Sequence, residues 1–330
     1  MFIPQTDFYE RNLHEVGKEL ILHCLLWTWD NVRACLPLIK ECGYTGVQIS
    51  PITSCKSQWN DNGRIQPRSS EWYKQLDETW YNLYQPLGFK QIGNHLGTED
   101  DFNYLCDDGM KYGIKIIPDL VTRHTANDEY DCLKPHKDVD PDLLNNPHYW
   151  KPSFRINDYN NRDQVIYGCT DLPCLDYDND ELLNNEILPF FRKVSNRTPH
   201  FRLDQLKHYA TPKEGSQFLV KAFENYPEGL HYGECINVTI DEYRDYAQYM
   251  YLLIHECEFW EGGSKAVRFF QSHDNHRSDL FRIYLSDYDR IERWKNLTKT
   301  FNMCLLYAHV DDNIIFCDEV KKNNWKVRGL

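Results

Sequence analysis

Along the chain, short apolar runs alternate with segments whose apolar residues recur at helical spacing. Leu20 to Trp27 is an apolar run fit for a buried strand. Asn31 to Cys42 carries Val32, Cys35, Leu36 and Ile39 on one helical face, and Gly43 closes that helix. Thr45 to Ser50 is the second strand. Thr98-Glu-Asp-Asp supplies a cap and an acidic first turn for a helix reaching Tyr112, and Gly113 to Asp119 follows as strand three.

From Arg123 to about Asp180 the periodicity collapses. The stretch is dense in Asn, Asp, Pro and Tyr and too long for an ordinary connection, so it reads as a small inserted domain. The rhythm resumes with a helix over Glu181 to Val194 and a strand ending at Asp204. A helix over Ser216 to Glu224 and a strand over Gly229 to Glu234 come next. Then follow a helix over Ile240 to Tyr249, a strand over Tyr251 to Ile254 and a strand ending at Asp274. A helix over Arg290 to Tyr307 and a last strand over Asn313 to Cys317 complete the count. Eight strands, most separated by helices, predict an α/β (β/α)8 barrel. Only a short basic tail would follow the eighth strand, so the eighth helix is expected to be missing. The expected organisation is a first barrel part over 1–122, an inserted domain over 123–180 and a second barrel part over 181–330.

The formal net charge of −13 argues against a surface that binds nucleic acid or anionic membrane, and a neutral substrate fits better. Nine Trp, 22 Tyr and 16 Phe supply flat faces for stacking on sugars, although most aromatics belong to a core. No stretch approaches the roughly 20 apolar residues of a membrane span. The N-terminus lacks the basic and apolar regions of a signal peptide. Twelve cysteines without a Cys-x-x-Cys pair, several in apolar runs, read as reduced thiols, and a cytoplasmic protein is expected, with a trimmed secreted precursor carrying disulfides as the alternative.

Three strand-like runs end on acids: Asp204 in His-Phe-Arg-Leu-Asp, Glu234 in His-Tyr-Gly-Glu, and Asp274 in Phe-Phe-Gln-Ser-His-Asp. In a parallel barrel the C-terminal strand ends converge on one face, so these acids can meet around one substrate. Acids gathered around a sugar are the equipment of glycosidic bond cleavage. Arg202, two residues before Asp204, shares its strand face and would keep that carboxylate ionised near neutral pH.

These acids sit within longer motifs. His23-Cys-Leu-Leu-Trp-Thr-Trp, Gly43-Tyr-Thr-Gly-Val-Gln-Ile-Ser-Pro and Trp80-Tyr-Asn-Leu-Tyr-Gln-Pro resemble the alpha-amylase family of glycoside hydrolases, its animal-type branch in particular. So do Asp119-Leu-Val-Thr-Arg-His, Phe201-Arg-Leu-Asp-Gln-Leu-Lys-His, Gly233-Glu and Ser272-His-Asp-Asn-His-Arg. The resemblance runs from about residue 20 to 280 and implies an endo-acting hydrolase of α-1,4-glucans with a retaining double-displacement mechanism. It implies Asp204 as nucleophile, Glu234 as general acid and Asp274 as the acid that holds sugar hydroxyls. It also implies sugar contacts from Tyr84, Gln85, His124 and His273, stacking surface from Trp80 and Tyr81, and leaving-group-side contacts from Lys207 and His208. Asp119 would orient Arg202. The motifs are shared with α-glucan transglycosylases, and a non-catalytic glucan-binding barrel is the reading from another class.

The chain departs from the family at its calcium ligands. An Asn there is Arg123 here, and a carboxylate is Cys174. Calcium takes six to eight oxygen ligands, and neither a guanidinium nor a thiol supplies any. No metal is expected, and the Arg123 guanidinium is expected to occupy the cation position and bridge to the inserted domain. The chloride site of the animal branch is doubtful, since the Asn position is Ser272. Relatives continue into an eighth helix and a β-sandwich, so an incomplete barrel wall would call for cover by a partner or second copy.

Overall fold

The computed structural model describes residues 19–56, 79–152, 154–224, 228–236, 238–255, 265–269, 292–293, 296–297 and 300–309. Eight parallel strands close into a barrel: β1 Glu19–Leu25, β2 Gly46–Ile49, β3 Lys115–Leu120, β4 Phe201–Leu203, β5 His231–Glu234, β6 Tyr251–His255, β7 Ala266–Phe269 and β8 Met303–His309. Each strand neighbours the next in sequence, and β8 pairs with both β7 and β1. The β1–β8 ladder runs from Glu19 opposite Met303 to Leu25 opposite His309.

Side chains alternate between two apolar compartments, as the pleat requires. Ile21, Ile117, Tyr232, Leu253, Val267 and Leu305 fill the barrel interior. Leu20, Leu22, Val47, Leu252 and Ile254 pack outward against the helical layer. Burial on both faces explains why these strands read as continuous apolar runs.

The helices start and stop on local chemistry. α1, Trp29–Glu41, begins where the Thr28 side chain accepts from Asn31 N at 3.3 Å, and the chain turns away at Gly43, whose φ is 90°. α2, Glu99–Tyr112, opens on a capping box between Thr98 and Asp101 and ends on Gly113 in the left-handed conformation. The helix expected over Glu181 to Val194 is composite. A widened five-residue turn, Leu183–Ile187, leads into α3, Leu188–Ser195. Pro189 lies at the start of α3 and has no N–H to donate to a regular preceding turn.

The eighth strand corrects the sequence reading. Met303-Cys-Leu-Leu-Tyr was expected as the end of a helix, with the strand at Asn313 to Cys317. It forms β8, and Asn313 to Cys317 lies outside the described residues. A run apolar at every position carries no period that separates helix from strand, and the ladder to β1 decides it. The expectation of a missing eighth helix falls on residues 310–330, which lie outside the described residues. The strand ring itself is closed.

Between β3 and α3 none of the described residues joins the barrel sheet. This excursion holds isolated bridges, including His124 with Cys174 and Arg155 with Cys169, and a short helix at Arg162–Tyr167. The Tyr177 hydroxyl returns to the barrel end by donating to the Thr122 carbonyl at 2.5 Å. All ten cysteines among the described residues are unbridged. No helix among the described residues is long and apolar enough to cross a membrane.

Candidate active site

Strand register assembles a charged centre at the C-terminal end of the barrel. Asp119 on β3 lies opposite Arg202 on β4, and Asp204 follows β4 on the same side of the pleat as Arg202. Glu234 ends β5 next door. The Arg202 guanidinium is 1% exposed and serves three acids at once. One terminal nitrogen meets Asp119 Oδ1 at 2.7 Å and Asp204 Oδ1 at 2.6 Å, and the other meets Glu234 Oε2 at 3.1 Å. The Tyr84 hydroxyl donates to Asp119 Oδ2 at 3.1 Å.

The turn after the nucleophile candidate is tight. Gln205 has φ 51°, a left-handed angle that is uncommon for a non-glycine residue. This angle aims its N–H at Glu234 Oε2, 3.0 Å away. Gly233, just before Glu234, lets the Leu206 side chain close over β5; a Cβ at residue 233 would collide with it.

Three carboxylates around one cation cannot all be charged at little cost in a buried site. Burial pushes Asp204 well above the usual carboxylate range; Arg202 opposes this, and the charges of Glu234 and Asp119 add to it. The same burial, set against Arg202, raises Asp119 to about 6. The expectation that Arg202 would keep Asp204 ionised near neutral pH is therefore corrected in direction, because one guanidinium is shared among three acids and Asp204 is buried. His124 is lowered to about 4 by burial, so its ring is neutral near pH 7; its Nε2 lies 2.8 Å from the Tyr84 carbonyl oxygen.

Two opposite pH effects follow. A carboxyl raised in the folded state favours folding below its unfolded pKa, and that contribution is lost as pH rises through the folded value. For Asp119 the window lies between about 4 and 6. Chemistry needs Asp204 ionised, so activity should fall as pH drops. We expect the acid limb of kcat/KM to have its midpoint above the value of about 4 for a free aspartate. A profile flat down to pH 4 would contradict the upward shift of Asp204.

Above this centre opens a cleft of about 680 Å³. It gathers nine residues singled out from sequence: Trp80, Tyr81, Tyr84, Gln85, His124, Asp204, Lys207, His208 and Glu234. Arg202 lies beneath it rather than on its wall. His273, Asp274 and Ser272 lie outside the described residues. The sequence reading missed Tyr159, Gln205, Ile236 and Glu242, which also line the cleft. Tyr159 sits in the excursion, with Lys207 Nζ 5.4 Å from its ring centroid and the His208 ring edge-on to it. Its only signal was its place in an Asn- and Asp-rich stretch.

The position expected to bind calcium in relatives holds a different cation. Arg123 is 1% exposed, and its guanidinium donates to the carbonyls of His208 (3.1 Å), Leu175 (3.2 Å), Ile166 (2.6 Å) and Gly168 (3.5 Å). Lys151 Nζ reaches the Ile166 carbonyl as well, at 3.2 Å. Oxygens that could bind a metal are taken by two cationic side chains, and a thiol stands at residue 174. These residues do not fit calcium.

A parallel barrel with two acids on one guanidinium below an aromatic cleft is the arrangement of a glycoside hydrolase. Residues 27–328 match the alpha-amylase catalytic domain. The alpha-amylase of Clostridium acetobutylicum is 32% identical over 203 residues, covering 61% of this chain and 24% of that protein. The alpha-amylase of the mite Acarus siro is 27% identical over 202 residues, covering 59% of this chain and 34% of that protein. The chain thus spans between about a quarter and a third of the length of these curated relatives. Wild-type alpha-amylase I from Eisenia fetida shares the fold at TM-score 0.67 and 19% identity, over 89% of this chain and 67% of that one. The chain belongs to the alpha-amylase family of glycoside hydrolases, through its catalytic domain.

Proposed function

We propose that the protein hydrolyses internal α-1,4-glucosidic bonds of starch, glycogen or maltooligosaccharides with retention of configuration. The observation that carries this reading is the pair Asp204 and Glu234, held on the two terminal nitrogens of one guanidinium. That grip favours the short carboxyl separation of retaining enzymes, roughly 5–5.5 Å, over the wider gap that admits a water between the acids.

Glu234 protonates the glycosidic oxygen while Asp204 attacks the anomeric carbon, forming a covalent glycosyl-enzyme. Water, deprotonated by Glu234, then displaces Asp204 at the same carbon. Two inversions leave the α-configuration. Arg202 and Asp119 orient the nucleophile, and Tyr84 braces Asp119. Trp80, Tyr81 and Tyr84 offer aromatic surface to the glucan, and Tyr159, Lys207 and Ile236 also line the cleft. Asp274 and His273 are proposed to hold the sugar at the cleaved bond.

Proton NMR of maltoheptaose cleavage tests the stereochemistry. Fresh α-anomer should appear before mutarotation, and a β-anomer product would reject double displacement.

The guanidinium-filled carbonyl cage supports activity without calcium. A chelator in excess should leave both the melting temperature and the rate of starch hydrolysis unchanged. A fall in either that added calcium restores would overturn this part of the reading.

A further inference from the structure

Behind the lining of the cleft stands an arginine that the reaction above does not use. Arg162 opens the short helix Arg162–Tyr167 of the excursion, is partly buried, and does not itself line the cleft. All three of its guanidinium nitrogens are engaged. One terminal nitrogen donates to the Lys207 carbonyl at 2.6 Å and lies 3.6 Å from Glu242 Oε1. Nε and the second terminal nitrogen grip Glu214 at 2.7 and 2.8 Å, a two-point pair that fixes the plane of the group. The second also donates to the Tyr209 carbonyl at 3.2 Å and to the Tyr246 hydroxyl at 2.6 Å.

Two of these partners carry side chains of the cleft, since Lys207 and Glu242 both line it. Lys207 Nζ donates to the Ile236 carbonyl at 3.1 Å and stands 5.4 Å from the Tyr159 ring centroid. Glu242 Oε2 accepts from Thr239 N at 2.7 Å while its Oε1 faces Arg162. One planar cation thus ties the excursion to the turn after β4 and to the helix Ile240–Tyr246. Glu214 alone would suffice to anchor the excursion. The hold on Lys207 and the approach to Glu242 reach further, into the lining itself. Arg155 makes the contrast: it pairs with Asp171 at 2.8 Å, exposed and within the excursion.

We propose that Arg162 is a positioning residue for the leaving-group side of the cleft, where it holds Lys207 and Glu242 against the sugars beyond the cleaved bond. The proposal rests on the glucan-hydrolase reading. A planar fork of donors sets direction as well as distance, which a flexible point charge does not. Without it the Lys207 carbonyl is left to share the Tyr246 hydroxyl with the Tyr209 carbonyl, and Glu242 loses the guanidinium beside it.

The test compares two substrates in the parent protein and in Arg162→Ala. Maltoheptaose lays sugars on the leaving-group side, whereas a maltoside with a dinitrophenolate leaving group lays none there. A loss of folded protein lowers both rates equally, so the ratio of the two kcat/KM values reads position alone. On maltoheptaose kcat/KM should fall about tenfold or more, because the leaving-group sugars are misplaced. On the dinitrophenyl maltoside it should scarcely change. Arg155→Ala should leave both values as in the parent. In a background of Lys207→Ala with Glu242→Gln, the change at Arg162 should add little, because the three act as a unit. An unchanged ratio would reduce Arg162 to an anchor and overturn the proposal, and so would full additivity in that background. A parent protein that cleaves neither substrate would instead reject the hydrolase reading. Calorimetry with maltoheptaose then decides: Arg162→Ala should bind severalfold more weakly at full stoichiometry, and an affinity equal to the parent's would overturn the proposal.

Discussion

Asp204→Asn should lower kcat on starch by on the order of 10⁴- to 10⁶-fold with little change in KM, because an amide cannot attack the anomeric carbon. Glu234→Gln should cost about 10²- to 10⁴-fold on the same substrate. The two variants separate on a maltoside with a dinitrophenolate leaving group, which departs without a proton. Glu234→Gln should recover much of its first step there, and Asp204→Asn should recover none. Burst kinetics with the activated substrate would show the glycosyl-enzyme accumulating in Glu234→Gln, since water then lacks its base. Equal rescue of both variants would reverse or dissolve the assignment of roles.

The second large effect is on stability. Arg202→Leu keeps an apolar stem but removes the one cation among three buried acids. Leaving buried charge uncompensated costs about 3–5 kcal/mol, a large part of the about 5–15 kcal/mol that holds a typical protein folded. The urea midpoint near pH 7 should fall accordingly. The loss should shrink as pH drops, since protonated Asp119, Asp204 and Glu234 no longer repel one another. A midpoint equal to that of the parent protein would show that Arg202 is not the hub that the contacts describe.

Much of this centre was legible in sequence, and the reason is geometric. In a parallel barrel the C-terminal strand ends share one rim, so Asp204 and Glu234 needed only their strands to be recognised. Arg202 and Asp204 share a face because they stand two residues apart. The state of Asp204 was not legible: a sequence shows that an arginine is near, but not that Asp119 and Glu234 divide its charge or that Asp204 is buried. Nor was Tyr159, because loops carry no period that aims a side chain. The strand at Met303–His309 was obscured because Met303-Cys-Leu-Leu-Tyr is apolar at every position. The Arg123 bridge was foreseen as a cation in place of a ligand, but its partners Ile166, Gly168, Leu175 and His208 contribute only main-chain oxygen, which no residue code announces.

The ladder between β1 and β8 also bears on the order of events during synthesis. The first strand leaves the ribosome with one edge unsatisfied, and the residues that satisfy it, 303–309, come almost a whole chain later. Both reacting acids are therefore made, and can lie close to their strands, well before the ring can close. Until then β1 presents a bare row of backbone donors and acceptors, which invites pairing with other chains. The growing chain thus passes through a long interval in which its chemistry is written but its barrel is open. A helper that shields an exposed strand edge would matter most in that interval, before residue 309 is free to dock.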